Sequence, residues 1–114
     1  MINRDFLVIL CACPSTEVAE RLARALVGDG LAACVNVLPA VRSIYRWNGA
    51  VQAEEEVLMV IKARAASFEA LRSALLAGHP YEVPEVIALP IVDGHHRYLD
   101  WLADPDGASA TPPP

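Results

Sequence analysis

The sequence predicts an α+β sandwich, one antiparallel sheet with two helices on a single face, a long β-hairpin and a short helix at the C-terminal end. Three observations carry this. Short apolar runs with the density of buried strands alternate with two amphipathic helical stretches; a single Asn48-Gly49 turn divides the longest extended region; and the elements follow the order strand, helix, strand, strand, helix, strand. A chain of 114 residues suits one domain at about 150 residues per domain, assigned to residues 1–105. Residues 106–114 are small, polar and proline-rich, and are expected to form a disordered tail.

Phe6 to Ala12 is a continuous apolar run closed by Pro14, the pattern of a central strand covered on both faces. From Ser15 or Thr16, both good caps, the pattern changes. Val18, Ala19, Leu22, Ala25 and Leu26 fall on one helical face and Glu17, Glu20, Arg21 and Arg24 on the other. The spacings Glu17/Arg21 and Glu20/Arg24 predict two ion pairs, and Gly28 and Gly30 supply the stop. Ala33 to Trp47 reads as extended, being rich in β-branched and aromatic residues. Pro39 cannot donate to a ladder, so an edge position or a bulge is expected there. After Asn48-Gly49, Val51 to Lys62 returns as the partner strand. Ser67 is expected to cap a second helix with Phe68, Leu71, Ala74 and Leu75 inward, ended by Gly78. Val83 to Ile91 reads as the last main strand, interrupted by Pro84 and Pro90. A short helix through Tyr98, Leu99, Trp101 and Leu102 stops at Asp104-Pro105. Together these elements make the split βαβ or ferredoxin-like sandwich.

The hairpin is too long for such a domain. Ala33 to Trp47 extends to about 50 Å at roughly 3.3 Å per residue, against a radius of gyration of about 14 Å for a chain of this size. An overhanging apolar hairpin exposes unpaired edges, so a closed homo-oligomer is expected.

Composition excludes several function classes. Hydrophobic residues make up 54% and charged ones 20%, which provides a core and argues against a disordered protein. The net charge of −5 has the wrong sign for tracking phosphates, so no nucleic-acid partner is expected. No apolar run approaches the roughly 20 residues needed to span a bilayer, so no membrane partner is expected either. Cys11, Cys13 and Cys34 are odd in number, which suits a reducing cytoplasm better than a secreted disulfide framework. Arg4 followed by Phe6 to Cys13 imitates a short signal peptide, and Leu10-Cys11-Ala12-Cys13 loosely resembles a lipidation box. Asp5 cancels the nearby positive charge, however, and cleavage would delete a core strand.

Five segments carry a family likeness: Leu31-Ala32-Ala33-Cys34-Val35-Asn36; Ser43-Ile44-Tyr45-Arg46-Trp47 with Gly49; Ile61-Lys62; His79-Pro80-Tyr81-Glu82-Val83-Pro84-Glu85; and Tyr98-Leu99-Asp100-Trp101. In this order, from about Phe6 to Leu102, the chain closely resembles the CutA family of divalent-cation tolerance proteins. The resemblance implies a homotrimer of ferredoxin-like subunits whose hairpins reach across to neighbouring sheets. It also implies tolerance of divalent metal ions and binding of copper, and it points to Cys34, with His79 and Glu85, as the metal site.

On their chemistry, Cys34, His79 and Glu85 offer a thiolate, an imidazole and a carboxylate, a set able to hold copper or zinc if they converge. Each has a plainer reading: Cys34 as a small buried strand residue, His79 as a cap on the last helical carbonyls. Cys11 and Cys13 are two apart, share a strand face and could pinch a soft cation such as copper(I), though Pro14 follows at once and core packing is the favoured reading of Cys11. His95-His96 beside Asp93 would make only a weak pair of ligands. Glu54-Glu55-Glu56 is expected to be a solvated face, with loose attraction of divalent cations as the lesser alternative. Tyr45, Trp47, Tyr81, Tyr98 and Trp101 are an aromatic set for the core or a subunit contact. Enzyme signatures are lacking: no glycine-rich phosphate loop, Gly-x-Ser-x-Gly elbow, HExxH or CxxC occurs, and no catalytic residue is assigned. Two functions follow. The first is a cytoplasmic, trimeric metal-binding protein of metal-ion tolerance. The second is a signalling module similar to the PII proteins, binding a small anionic ligand in clefts between subunits through Lys62 and Tyr81.

Overall fold

The structure, a computed structural model, describes residues 5–107. The expected order of elements is present. It runs β1 (Phe6–Cys13), α1 (Thr16–Gly28), β2 (Cys34–Trp47), β3 (Ala50–Arg64), α2 (Phe68–Gly78), β4 (Ile87–Pro90) and α3 (His96–Ala103). One antiparallel sheet has the order β2-β3-β1-β4, the arrangement of a ferredoxin-like sandwich. Most of the expected tail, residues 108–114, lies outside the described residues.

Side-chain alternation divides the sheet into two faces. Ile9, Cys11 and Cys13 of β1 stand opposite Ile61, Met59 and Val57 of β3. With Ala19, Leu22 and Leu26 of α1 and Leu71 and Leu75 of α2 they form the core. The other face carries Leu10, Ala12, Leu58 and Val60, all half-buried. There α3 meets β3, with Leu99, Trp101 and Leu102 buried outside the main core cluster.

Local chemistry explains most of the boundaries. Ser15 is extended (φ −153°, ψ 162°), and its side chain accepts from the Val18 N–H at 3.2 Å, closing the first turn of α1. Asn48 (φ 50°) and Gly49 (φ 78°) both take the left-handed conformation that a two-residue hairpin turn requires. The irregularity expected at Pro39 is a bulge between Leu38 and Val41, with Ala40 at φ 60°. The extra residue places Val41, Ser43 and Tyr45 opposite Glu56, Glu54 and Gln52, and so on the same face as Ala12. Beyond the Cys13↔Val57 pair β3 has β2 as its only strand partner. The hairpin therefore continues as a two-stranded ribbon for about 20 Å, within overall dimensions of 50 × 32 × 25 Å.

Three expectations are corrected. Arg21 does not pair with Glu17; its guanidinium donates to the Gly78 carbonyl at 3.1 Å, because α2 lies beside α1 and offers an unsatisfied C-terminal carbonyl. Glu20 and Arg24 do pair, at 2.9 Å. Ser67 does not cap α2: a 3-10 turn, Ala65–Ser67, leads into the helix and holds Ser67 at φ −89°, ψ −6°, whereas a capping side chain needs an extended backbone. The last strand is Ile87–Pro90 rather than Val83 to Ile91. Residues 79–86 instead form a loop against the end of β1, with Pro84 unable to donate to a ladder.

Candidate metal centre

Chain direction explains why three potential ligands meet. β1 and β3 are antiparallel, and α2 turns back after β3, so the C-terminal end of α2 arrives where β1 ends. Cys11 and Cys13 sit at that end of β1 on the helix-facing side, both fully buried, while α2 delivers the buried His79 as its C-terminal cap. The ligand atoms of Cys11, Cys13 and His79 all lie within 4.8 Å of one another.

The backbone around His79 is tightly specified. Its N–H donates to the Leu75 carbonyl at 2.9 Å. A Cβ on the preceding Gly78 would stand 2.8 Å from Leu22 Cδ2, so glycine permits the close approach of α2 to α1. The imidazole Nδ1 accepts from the Tyr81 N–H at 3.1 Å. The ring proton of the neutral form is then on Nε2, which donates to the Ala12 carbonyl at 2.8 Å. One ring thus ties the 79–86 loop to the peptide between the two cysteines.

The cysteines perturb each other in opposite directions. Cys11 is raised well above the ordinary thiol range, first by its hydrogen bond with Cys13, then by burial and by the charges of Cys13, Glu85 and Glu56. Cys13 is lowered, chiefly by that same bond, against burial and with help from Arg21. A thiolate therefore forms first on Cys13, with Cys11 as its donor. A deprotonated thiol beside an imidazole is a soft donor set, which suits copper or zinc.

The remaining candidates lie elsewhere. Cys34 opens β2 opposite Lys62, on the other face of the sheet and five residues along β3 from Val57, roughly 17 Å at ~3.3 Å per residue. It is near Tyr98, whose hydroxyl is raised by burial and then by Cys34. Lys62 Nζ donates to Asn36 Oδ1. Glu85 is exposed, and its charge reaches Cys11. Tyr81 donates its hydroxyl to Glu56 Oε2 at 2.6 Å, and its proton is held above the usual phenol range by burial and then by Glu56. Glu56 is thus buried, unlike the solvated face expected of the acidic run, whereas Glu54 and Glu55 are exposed. His95 and His96 are exposed at the start of α3. Beside the centre, on the Ala12 face, a groove of about 940 Å³ is lined by Tyr45, Trp47, Glu54, Glu56, Tyr81 and Glu85 among others.

Sequence reasoning singled out Cys11 with Cys13, and His79 separately, without joining them. The usable signal was topological: a helix that follows β3 must return its end to the end of β1, which brings the residue after Gly78 to Ala12.

The model of the CutA1 divalent ion tolerance protein family matches residues 7–105. The chain belongs to this family. A divalent-cation tolerance protein CutA of Thermus thermophilus is 48% identical over 100 residues, covering 88% of this chain and 97% of that protein. The chloroplastic CutA of Arabidopsis thaliana is 45% identical over 96 residues, and there the match spans 84% of this chain but only 53% of the relative. Among solved CutA structures, the divalent cation tolerance protein from Thermus thermophilus superposes with a TM-score of 0.86 at 47% identity, covering 90% of this chain and 99% of that one. CutA1 from Oryza sativa gives 0.84 at 44% identity, covering 86% and 90%. The ferredoxin-like α+β fold of CutA is thus shared. A further CutA structure, from Archaeoglobus fulgidus, is described as periplasmic. Among the described residues no helix is long and apolar enough to cross a membrane.

Proposed function

We propose that this CutA protein contributes to metal-ion tolerance by binding copper, or failing that zinc, at Cys11, Cys13 and His79, as a cytoplasmic homotrimer with a binding rather than a catalytic role. The convergence of two thiols and an imidazole within 4.8 Å carries the reading. Their donor chemistry fits a soft metal. Glu85 stands outside the cluster and adds attraction for cations; Cys34, on the opposite face, falls outside the set. The trimer is supported by the two-stranded ribbon, which exposes Ile44, Trp47 and Val51, and by the edge strand β4, which exposes Ile87 and Leu89. Such surface calls for cover by another subunit. Three cysteines without a disulfide suit a reducing compartment.

The signalling alternative has less support. The Tyr81 hydroxyl is committed to Glu56, and the adjoining groove presents Glu54, Glu82 and Glu85, which repel an anion. Calorimetric titration of the reduced protein with copper(I), copper(II), zinc and a panel of nucleotides separates the two. Saturable metal binding that is lost in Cys11→Ser and His79→Ala is expected. Nucleotide binding without metal binding would overturn the proposal.

A further inference from the structure

We propose that the Cys11–Cys13–His79 centre selects a monovalent soft ion, copper(I), over divalent zinc, and does so by limiting the number of donors. The inference rests on the metal-binding reading above and concerns which ion that site takes.

The first observation is the donor count. The cluster offers two sulfurs and one ring nitrogen. Zinc in proteins is completed by a fourth ligand, either a side chain in structural sites or a water in open catalytic ones. Copper(I) is a d10 ion satisfied by two or three soft donors and favoured by thiolates. The selection therefore turns on whether a fourth donor can reach the centre.

Burial closes that route. Cys11 and Cys13 are 0% exposed and His79 is 8% exposed. Among the described residues the other buried charged or polar side chain is Glu56. It lies on the Ala12 face and accepts from the Tyr81 hydroxyl at 2.6 Å. The surroundings on the helix side are apolar, formed by Met59, Val57, Leu22 and Leu75. A water brought in as fourth ligand would need polar partners of its own, and these four side chains supply none.

The imidazole can serve without rebuilding the site. Both ring nitrogens are engaged, with Tyr81 N–H and with the Ala12 carbonyl. A metal takes Nδ1 in place of the Tyr81 N–H while the Nε2–H bond to the Ala12 carbonyl continues to orient the ring, as metal-bound histidines commonly require. Nearby charges act in both directions, twice as strongly on a divalent ion as on a monovalent one: Glu56 and Glu85 favour a cation near Cys11, and Arg21 near Cys13 opposes it. Donor number and softness are left to decide.

The test is anaerobic competition on the full chain, with a colorimetric copper(I) chelator in one arm and a fluorescent zinc chelator in the other, followed by X-ray absorption of the copper(I) form. One copper(I) per chain is expected, with sulfur and a single nitrogen or sulfur alone in its first shell. Cys13→Ser should weaken copper(I) by more than roughly 100-fold, since losing a direct ligand exceeds the effect of losing an outer partner. Cys34→Ser should leave it unchanged. Silver(I), a monovalent ion with the same preference for sulfur, should compete with copper(I), and zinc should not displace it. Circular dichroism on each variant confirms folding, and Cys13→Ala gives a second variant should Cys13→Ser unfold. Zinc held more tightly than copper(I) at these same residues overturns the selectivity and leaves the metal-binding reading standing. Copper(I) binding untouched by Cys11→Ser and Cys13→Ser overturns the site. Failure of the parent to bind any metal overturns both.

Discussion

Arg21 in α1 and Gly78 at the end of α2 are 57 positions apart in sequence and joined by a 3.1 Å hydrogen bond from guanidinium to carbonyl. The bond satisfies one of the carbonyls that a helix leaves open at its C-terminus and fixes the point from which the chain turns into His79. Both partners can be probed. Gly78→Ala would place its Cβ 2.8 Å from Leu22 Cδ2. Leu22 is buried and cannot swing clear, so overpacking of about 1–3 kcal/mol outweighs the helix-propensity gain of up to about 1 kcal/mol. Urea denaturation should show net destabilisation of about 1 kcal/mol; a variant more stable than the parent would show that the two helices are not in close contact.

Backbone conformation makes opposite predictions at two small residues. Gly49 has φ 78°, with open space where a methyl group would stand, so Gly49→Ala should cost about 1 kcal/mol purely through the left-handed turn. Ala40 already bears that strain at φ 60°, so Ala40→Gly should be neutral or stabilising by about 0.5 kcal/mol, after the greater freedom of glycine in the unfolded chain is subtracted. Denaturation midpoints of the pair, measured side by side, check both signs.

Assembly is read from mass. Light scattering should give three times the 12.3 kDa chain mass at micromolar concentration. Because unfolding then includes dissociation, the melting temperature should rise with protein concentration. A stable monomer, or a reversible melt independent of concentration, would contradict the trimer.

Alkaline pH should unsettle the Tyr81–Glu56 contact. Burial, then the bond to Glu56 and its charge, raise the Tyr81 hydroxyl above its ordinary range. The folded state therefore keeps a proton that the unfolded chain releases at about pH 10. The associated stability is complete below that pH and is lost as the pH rises beyond it. Stability measured from about pH 8 to about pH 11 should fall more steeply in the parent than in Tyr81→Phe. Parallel curves would show that the hydroxyl is not so held.

What could be read from the sequence divides along physical lines. Strands, helices and the Asn48-Gly49 turn follow from local periodicity and backbone preference, and Pro39 marked the bulge because a missing donor is a local fact. Ser67 failed as a cap because the decision belonged to the turn ahead of it, and Arg21 chose Gly78 over Glu17 because a neighbouring helix offered a better acceptor. The candidate centre shows the same division. That Cys11 and Cys13 share a face is strand arithmetic, whereas the arrival of His79 beside them depends on how α2 docks against α1. The opposite placement of Cys34 likewise depends on register with Lys62, which no single strand encodes.

The bulge at Pro39 and Ala40 also sets the ribbon's pairing in the way a frameshift sets a reading frame. With the extra residue present, Ser43 and Tyr45 are paired with Glu54 and Gln52. Were the same residues to run as a regular strand without the bulge, the pairing would shift by one, so that Arg42, Ile44 and Arg46 took over the face now held by Ser43, Tyr45 and Trp47. An aromatic, acidic wall would become one in which arginines neutralise the glutamates, although no side chain of the ribbon had been substituted. A change at the Asn48-Gly49 tip would alter only the loop, whereas straightening the bulge at Ala40 would rewrite the surface of the ribbon.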